Sequence, residues 1–600
     1  MNSRIQEITE RIKERSKKSR KEYLDLMTLS SQNSVTRDGL ACGNLAHAFA
    51  ACGDDEKHDL SANVKPNLAI ITAYNDMLSA HKTYEDYPPK LKASAAKYGA
   101  VAQVASGVPA MCDGVTQGQA GMELSLFSRD IIALSTAVGM SHQMFDGGMC
   151  LGICDKIVPG MLMGALRFGH LPFVFVPGGP METGISNEEK AKHRRDYAEG
   201  KIGRAELLKA ESASYHSAGT CTFYGTANSN QMLMEIMGLH VPGSSFITPG
   251  TPLREALNDF AVKRLTEITS TGNSYVPLSN VISEETIVNA LVGLMATGGS
   301  TNHTLHIIAI ARAAGIIINW SDFNDVSEAV PSLTKVYPNG NADINHFQAC
   351  GGMGFLMKTL ADGGYLNENV STIMGEGLWA YFQEPFLENG ILNWRSVPEN
   401  SLDDTVLRRV DNPFASTGGL RLLDGNLGRS IIKISAVKEQ YHVVKAPIQV
   451  FEDQDDVIVS FKKGELNRDV IVIVRNQGAR INGMPELHKL TPTLSILQQN
   501  GFKVALVTDG RMSGASGKVP AAIHLSEHPE HKDILLKLQT GDIVELNATE
   551  GTLNCEDFEK INLRNVIAKK AQSDLGVGRE LFKNIRPLVS ISEEGASFIV

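Results

Sequence analysis

Aromatic residues make up only 6% of this 600-residue chain, and tryptophan occurs three times. Base-stacking platforms and aromatic-rich repeats are therefore not expected. Cysteine is also scarce. The eight cysteines are Cys42, Cys52, Cys112, Cys150, Cys154, Cys221, Cys350 and Cys555, too few and too scattered for a disulfide framework. None forms a CxxC pair, which argues against a zinc ribbon or a bacterial-ferredoxin pattern. No apolar run reaches the length of a membrane span. The first 21 residues are polar and charged, unlike a secretory signal. Net charge is -10, and no block of like charge follows the N-terminus. Neither a nucleic-acid groove nor an anionic membrane surface is expected as a partner. These absences together predict a soluble, cytoplasmic protein with free thiols.

What is present is a core-forming composition, 42% hydrophobic, with 55 glycines. That length suggests several domains or two large ones. No internal repeat is found. Residues 2–28 read as a helix lying on the surface or packing across a subunit. The run 67–74 is a buried strand by its length and β-branching. Helix 86–97, strand 101–104, helices 122–139 and 158–168 and strand 171–176 then give a βαβ-like order and a parallel sheet. The charged segment 186–213 is helical, an excursion on the surface or a dimer contact. Helices at 229–237 and 283–296, and a second apolar helix running to Ala314, follow. Near residues 385–420 the texture changes to short strands at 431–437, 447–451, 457–460, 469–475, 503–508, 541–547 and 551–555. The fold class predicted is α/β: an N-terminal domain, residues 1–395, with a parallel sheet flanked by helices, and a β-rich C-terminal domain, residues 396–600.

The run 147–160 sets Cys154, Asp155 and Lys156 side by side among glycines. A soft metal prefers the thiolate and a hard one the carboxylate, so two kinds of metal centre can meet there. An ordinary buried loop with a structural cysteine is an equally good reading of these residues alone. Cys154 and Cys221 each sit in a glycine-containing loop before a helix, where a cluster can approach the backbone. Asp113, Asp155 and Glu486 are the hard-ligand candidates. Alone, Asp113 also reads as a turn residue and Glu486 as a first-turn helix acid. The loop 508–518, with Arg511, Ser513 and Lys518, follows a predicted strand and is built to bind an anion or present a serine to a metal. Ser300 and Thr301, in a second glycine-rich turn, either bind an anion or cap the next helix.

Taken together, the motifs resemble the dihydroxy-acid and phosphogluconate dehydratase family, nearest its phosphogluconate branch. The resemblance spans essentially the whole chain. It rests on Ala41–His47, Tyr74–His81, Cys112–Gly118, Cys154–Gly160, Gly219–Gly225, Ala296–Asn302, Gly483–Glu486 and Asp509–Gly514, in that order. It implies an iron–sulfur cluster on Cys154 and Cys221, and Mg2+ on Asp113, Asp155 and Glu486, with Lys156 carbamylated to add an oxygen. It implies Ser513 as the catalytic base, an aconitase-like swivelling β-barrel as the second domain, and a homodimer. Members with a [2Fe–2S] cluster carry a third cysteine where Ala80 stands here. Phosphogluconate members are usually assigned [4Fe–4S], which is the expectation for this chain, with Cys112 as the substitute third ligand.

The implied reaction converts 6-phosphogluconate to its 2-keto-3-deoxy product and water, in the Entner–Doudoroff pathway. Ser513 takes the C2 proton, aided by Mg2+, and the cluster's iron acts as Lewis acid on the C3 hydroxyl. Lys518, Arg511, Ser300, Thr301 and His81 are candidates for the substrate's phosphate. Competing readings are a dehydratase of unphosphorylated sugar acids or branched-chain dihydroxy acids, and, from another class, an iron–sulfur sensor.

Overall fold

A computed structural model describes residues 1–33, 37–62, 65–198, 200–513, 517–567 and 576–600. The first half is built on four parallel strands, β1 (Asn67–Thr72), β2 (Val101–Gly107), β3 (Gly147–Leu151) and β4 (Phe173–Phe175), in the order β2-β1-β3-β4. β1, β3 and β4 are buried along their length, as continuous apolar runs in a doubly covered parallel sheet should be. No strand was expected over the glycine-rich residues 147–151, which form β3. Gly148 is glycine because the ring of Phe173, on neighbouring β4, lies 2.4 Å from where a Cβ would stand.

Two helices crossing beside this sheet, Ser125–Met140 and Ile157–Ala165, approach at backbone contact. A Cβ on Gly160 would lie 2.4 Å from the Arg129 carbonyl oxygen, and one on Gly164 would lie 2.6 Å from that of Ala133. These glycines are four apart and share one helix face. Replacing Gly160 with alanine is expected to lower stability by about 1–3 kcal/mol. A shift of the urea midpoint at unchanged slope would show it, and an unchanged midpoint would contradict the close crossing.

The N-terminal helix is Ser3–Asn33. Its Ile5, Ile8, Ile12, Tyr23 and Met27 are buried, and Arg20 donates to the carbonyls of Ala314, Ser279 and Ile282. The helix therefore packs on its own chain.

Two small antiparallel hairpins follow, β5 (Ser371–Thr372) with β6 (Gly375–Glu376), and β7 (Gln383–Glu388) with β8 (Ile391–Ser396). The remaining strands are β9 (Leu420–Gly425), β10 (Gly428–Lys433), β11 (Val443–Phe451), β12 (Val470–Val474), β13 (Val504–Thr508), β14 (Ala521–Ser526), β15 (Ile543–Asn547) and β16 (Thr552–Cys555). They form one sheet in the order β16-β15-β11-β12-β13-β14-β10-β9. Its centre, β11 to β14, is parallel and its flanks are antiparallel. The sheet curls until its edges nearly meet. Asp424 N on β9 donates to the Gly551 carbonyl beside β16 at 2.9 Å. The expected α/β class with a barrel-like C-terminal sheet is thus observed.

One predicted strand is a helix. Residues 457–460 lie within the helix Gln454–Lys462. The apolar run suggested a strand, but its ends carry helix signals. Asp453 caps Asp455 N, Asp455 and Asp456 occupy the first turn, and Lys462 the last.

The C-terminal tail locks into the first half. Arg129 donates to the carbonyls of Gly595 and Ala596, both at 2.9 Å, and Asp130 accepts from Ser597 and Phe598.

Candidate active site

The chemistry-bearing residues gather where strand ends from the two halves face each other. Cys112 and Asp113 follow β2; Cys154, Asp155 and Lys156 follow β3 and precede the helix Ile157–Ala165. Cys221 follows a parallel bridge between Pro180 and Thr220, just past β4. From the barrel, Glu486 lies beyond the end of β12, and Arg511 and Ser513 follow β13. Open parallel sheets place ligands beyond the carboxyl ends of their strands, and both halves obey that rule here.

Asp113, Asp155 and Glu486 converge, with one oxygen of each within 4.8 Å of the others. Two cations, Lys156 and Arg511, offset most of their charge. Lys156 Nζ bridges Asp113 and Asp155. Arg511 spans the cluster, donating to Glu486 Oε1 at 2.7 Å and Asp113 Oδ2 at 3.0 Å, while its Nε holds the Met484 carbonyl at 2.8 Å. Three carboxylates against Lys156 and Arg511 leave a formal charge of -1. Burial pushes the Asp155 carboxyl up, but Lys156, His306 and Arg511 outweigh it and hold it well below the usual carboxylate range. Glu486 is pushed up to about 7 by burial, which the Arg511 guanidinium only partly offsets.

Further side chains hold this triangle rigid. Asn302 Nδ2 donates to Asp155 Oδ2 at 3.2 Å and to Glu486 Oε1 at 3.3 Å, joining acids from both halves of the chain. His306 Nε2 contacts Asp155 Oδ1 at 2.9 Å, and its Nδ1 faces Arg129 at 3.3 Å. Nδ1 must then accept from the guanidinium, so Nε2 carries the proton toward Asp155. Burial lowers His306 to about 4, so it is neutral at pH 7. Sequence reasoning assigned no role to Asn302 or His306. Their signal was spacing: they lie four apart and face the same acid.

Cys112, Cys154 and Cys221 form a second group. Burial raises all three thiols, and each lies within electrostatic range of the other two. Cys154 has φ +73°, an uncommon conformation for a residue with a Cβ. Asn230 fixes that turn by donating to the carbonyls of Cys154 at 2.9 Å and Asp155 at 3.0 Å. Cys42 is exposed, and Cys150, Cys350 and Cys555 are buried.

Ser513 lines a cavity with Thr301, Lys433, Met512 and Gly517. Residues 514–516 of the predicted anion loop lie outside the described residues. The other anion candidates are dispersed. Arg511 is committed to carboxylates. The Ser300 hydroxyl pairs with Thr226 at 2.7 Å and accepts from Asn302 N. Lys518 is exposed, its ammonium over the Tyr337 ring. His81 is wholly buried, and burial lowers it to about 4, only partly offset by the Ala73 backbone.

Comparison with known proteins decides the family. Residues 65–381 match the dihydroxy-acid/6-phosphogluconate dehydratase N-terminal family, and residues 405–596 match its C-terminal counterpart. The chain belongs to the dihydroxy-acid/6-phosphogluconate dehydratase family. It is 55% identical over 597 residues to a phosphogluconate dehydratase of Pseudomonas aeruginosa, covering 99% of this chain and 98% of that one. It is 53% identical over 601 residues to the phosphogluconate dehydratase of Escherichia coli, covering all of both. A dihydroxy-acid dehydratase of Akkermansia muciniphila is 31% identical over 546 residues. The enzyme reading from the motifs therefore stands, and the chain is a dehydratase.

Proposed function

We propose that this dehydratase converts 6-phospho-D-gluconate to 2-dehydro-3-deoxy-6-phospho-D-gluconate and water in the Entner–Doudoroff pathway. The observation that carries the substrate choice is the gap in identity, 53% or more to phosphogluconate dehydratases over full length against 31% to a dihydroxy-acid dehydratase. The test is anaerobic purification with iron and sulfide analysis, then assay of 2-oxo acid formation from 6-phosphogluconate, gluconate and a branched-chain 2,3-dihydroxy acid. Turnover of the phosphorylated acid alone supports the proposal. Preference for either other acid overturns the substrate, and iron-free active protein overturns the cofactor.

The donor sets fit two metal centres. Three thiols from separate loops, Cys154 buried and Cys112 and Cys221 half-buried, within electrostatic range of one another, suit an iron–sulfur cluster, with Cys112 as the third thiolate beside Cys154 and Cys221. We assign it as [4Fe–4S]. The carboxylate triangle of Asp113, Asp155 and Glu486 would suit Mg2+, a hard cation that prefers oxygen ligands. Carbamylation would turn Lys156 from +1 to -1, and Mg2+ would restore those two units, keeping the buried cluster at -1. When bound, the cluster supplies a Lewis acid for the departing hydroxyl and Mg2+ supplies charge for the carboxylate and C2 oxygen.

The chain's own residues supply the rest. Ser513, placed by the β13 loop, accepts the C2 proton at Oγ. Asn302 and His306 keep Asp155 and Glu486 in one orientation while charge develops. Lys518 and Thr301 are the phosphate candidates nearest the Ser513 loop. We place the domain boundary near residue 395, after the β7–β8 hairpin. A cytoplasmic homodimer belongs to the same reading. The apolar helix Cys42–Phe49 has no buried residue, and Leu134 and Val138 are exposed, as surfaces awaiting a second copy would be.

Glu486 makes metal binding pH-dependent. Its carboxyl, raised to about 7, is protonated below that pH, and a proton and Mg2+ compete for it. Mg2+ affinity of the metal-free protein should fall about tenfold for each pH unit below 7 and level off above it. Calorimetric titration across that range would show the slope, and a flat profile would contradict it.

A further inference from the structure

The short helix Ile344–Ala349 carries His346, and Cys350 closes it. Cys350 N donates to the His346 carbonyl at 3.0 Å, so the two residues lie one helical turn apart on the same face. Asp403, from the segment that leads toward the C-terminal sheet, comes to that face. Its Oδ2 meets His346 Nε2 at 2.9 Å, while its Oδ1 accepts from Thr405 N at 2.9 Å and Thr405 Oγ1 at 2.6 Å. The segment is tied to the helix as well, because Leu402 N donates to the Cys350 carbonyl at 3.2 Å. One donor atom of each of His346, Cys350 and Asp403 thus lies within 4.8 Å of the other two. Cys350 is 2% exposed, whereas the His346 and Asp403 side chains are 47% and 31% exposed. The reaction proposed above uses none of these residues.

We propose that His346, Cys350 and Asp403 form an exchangeable Zn2+ site, binding the ion through Nε2, Sγ and Oδ2 with a water in the fourth position. The thiolate selects a borderline-soft cation over Mg2+ or Ca2+, and imidazole and carboxylate complete a donor set that zinc accepts. One cysteine is too few for an iron–sulfur cluster. Tetrahedral ligands at zinc's bond lengths of about 2.0–2.3 Å stand about 3.4–3.6 Å from one another. The 2.9 Å contact and the 4.8 Å limit lie either side of that spacing, so side-chain adjustment alone would close the site. Thiolate and carboxylate carry two negative charges against the ion's two positive ones, so the occupied site is neutral. On binding, the Cys350 thiol proton goes to solvent, and the imidazole coordinates as the neutral ring with its proton on Nδ1. The half-exposed His346 and Asp403 leave one side of the ion open, so metal can enter and leave the folded chain. The ion clips residues 401–407 to the helix. That helix starts at the Cys221 loop, since Ile344 N donates to the carbonyl of Thr222 at 2.9 Å. Zinc here stabilises the chain from outside the reaction centre, and the proposal does not depend on the substrate or on the serine base.

The test is calorimetric titration of holoenzyme with ZnCl2 in saturating Mg2+, which keeps the carboxylate triangle filled. Wild type should take up one Zn2+ per chain, with a raised Tm. His346→Gln, Cys350→Ala and Asp403→Asn should each weaken that uptake by at least about tenfold, since losing even an outer partner of a metal site costs about 10–100-fold. The gain in Tm should vanish with it. Co2+ in place of Zn2+ should give wild type a sulfur-to-metal charge-transfer absorption, read as a difference from cobalt-free holoenzyme, and Cys350→Ala should lack it. Two results would overturn the proposal. One is uptake that needs a large excess of zinc, or that keeps its affinity in His346→Gln and Cys350→Ala, which would make the metal an adventitious ion only. The other is cobalt bound without the sulfur absorption, which would leave Cys350 a packing thiol and His346 with Asp403 an ordinary ion pair. If Cys350→Ala does not fold, His346→Gln still decides, because the position is half-exposed and unchanged zinc affinity there overturns the proposal.

Discussion

Ser513→Ala should lose turnover by about 10²–10⁴-fold while keeping its iron, its sulfide and its Mg2+ affinity. Ser513 stands two residues after Arg511, and that arginine is pinned by Met484, Glu486 and Asp113. The backbone is pinned as well, since Leu487 N donates to the Arg511 carbonyl at 3.0 Å. The backbone leading into Ser513 is thus fixed, and among the described residues no hydrogen bond of the carboxylate triangle depends on its hydroxyl. Removing Oγ takes away a proton acceptor and little else. Steady-state kinetics with metal analysis on the same sample checks this. Near-normal kcat would exclude Ser513 as the base, and loss of metal together with activity would make it a structural residue.

Arg511→Met should destabilise the metal-free protein by about 3–5 kcal/mol, the usual cost of stripping the partner from a buried charge. Arg511 is 1% exposed and its guanidinium touches three acids. Without it only Lys156 would face Asp113, Asp155 and Glu486, and their formal charge would go from -1 to -2. Saturating Mg2+ brings two positive charges to the same oxygens, so it should recover part of the loss. Urea unfolding of the variant and wild type, with and without Mg2+, separates the terms. Equal destabilisation under both conditions would mean that Arg511 acts through packing at Met484 rather than through the acids.

Much of this was legible from the residues. The parallel sheet announced itself through long apolar β-branched runs such as Asn67–Thr72. The ligand-bearing loops announced themselves because cysteines and acids followed glycines after such runs. What was hidden had specific physical causes. β3 was concealed by glycines with tertiary reasons invisible in one strand, Gly148 making room for the Phe173 ring and Gly147 for Leu265 and Pro172. The helix Gln454–Lys462 was taken for strand because a short apolar run has no decisive period, although its acidic start and basic end were there to be read. Arg511 looked like an anion binder because cations in glycine-rich loops often are. Only the fold shows that three acids already claim it.

The central claim is that the thiol group and the carboxylate triangle serve one reaction centre. The direct measurement is the electron paramagnetic resonance of the reduced cluster in protein whose Mg2+ has been replaced by paramagnetic Mn2+, an ion that suits the same oxygen ligands. Magnetic coupling that broadens the cluster signal, and that disappears in Glu486→Ala, is the predicted result. A cluster signal indifferent to bound Mn2+ would place the two metals in separate sites and contradict the account.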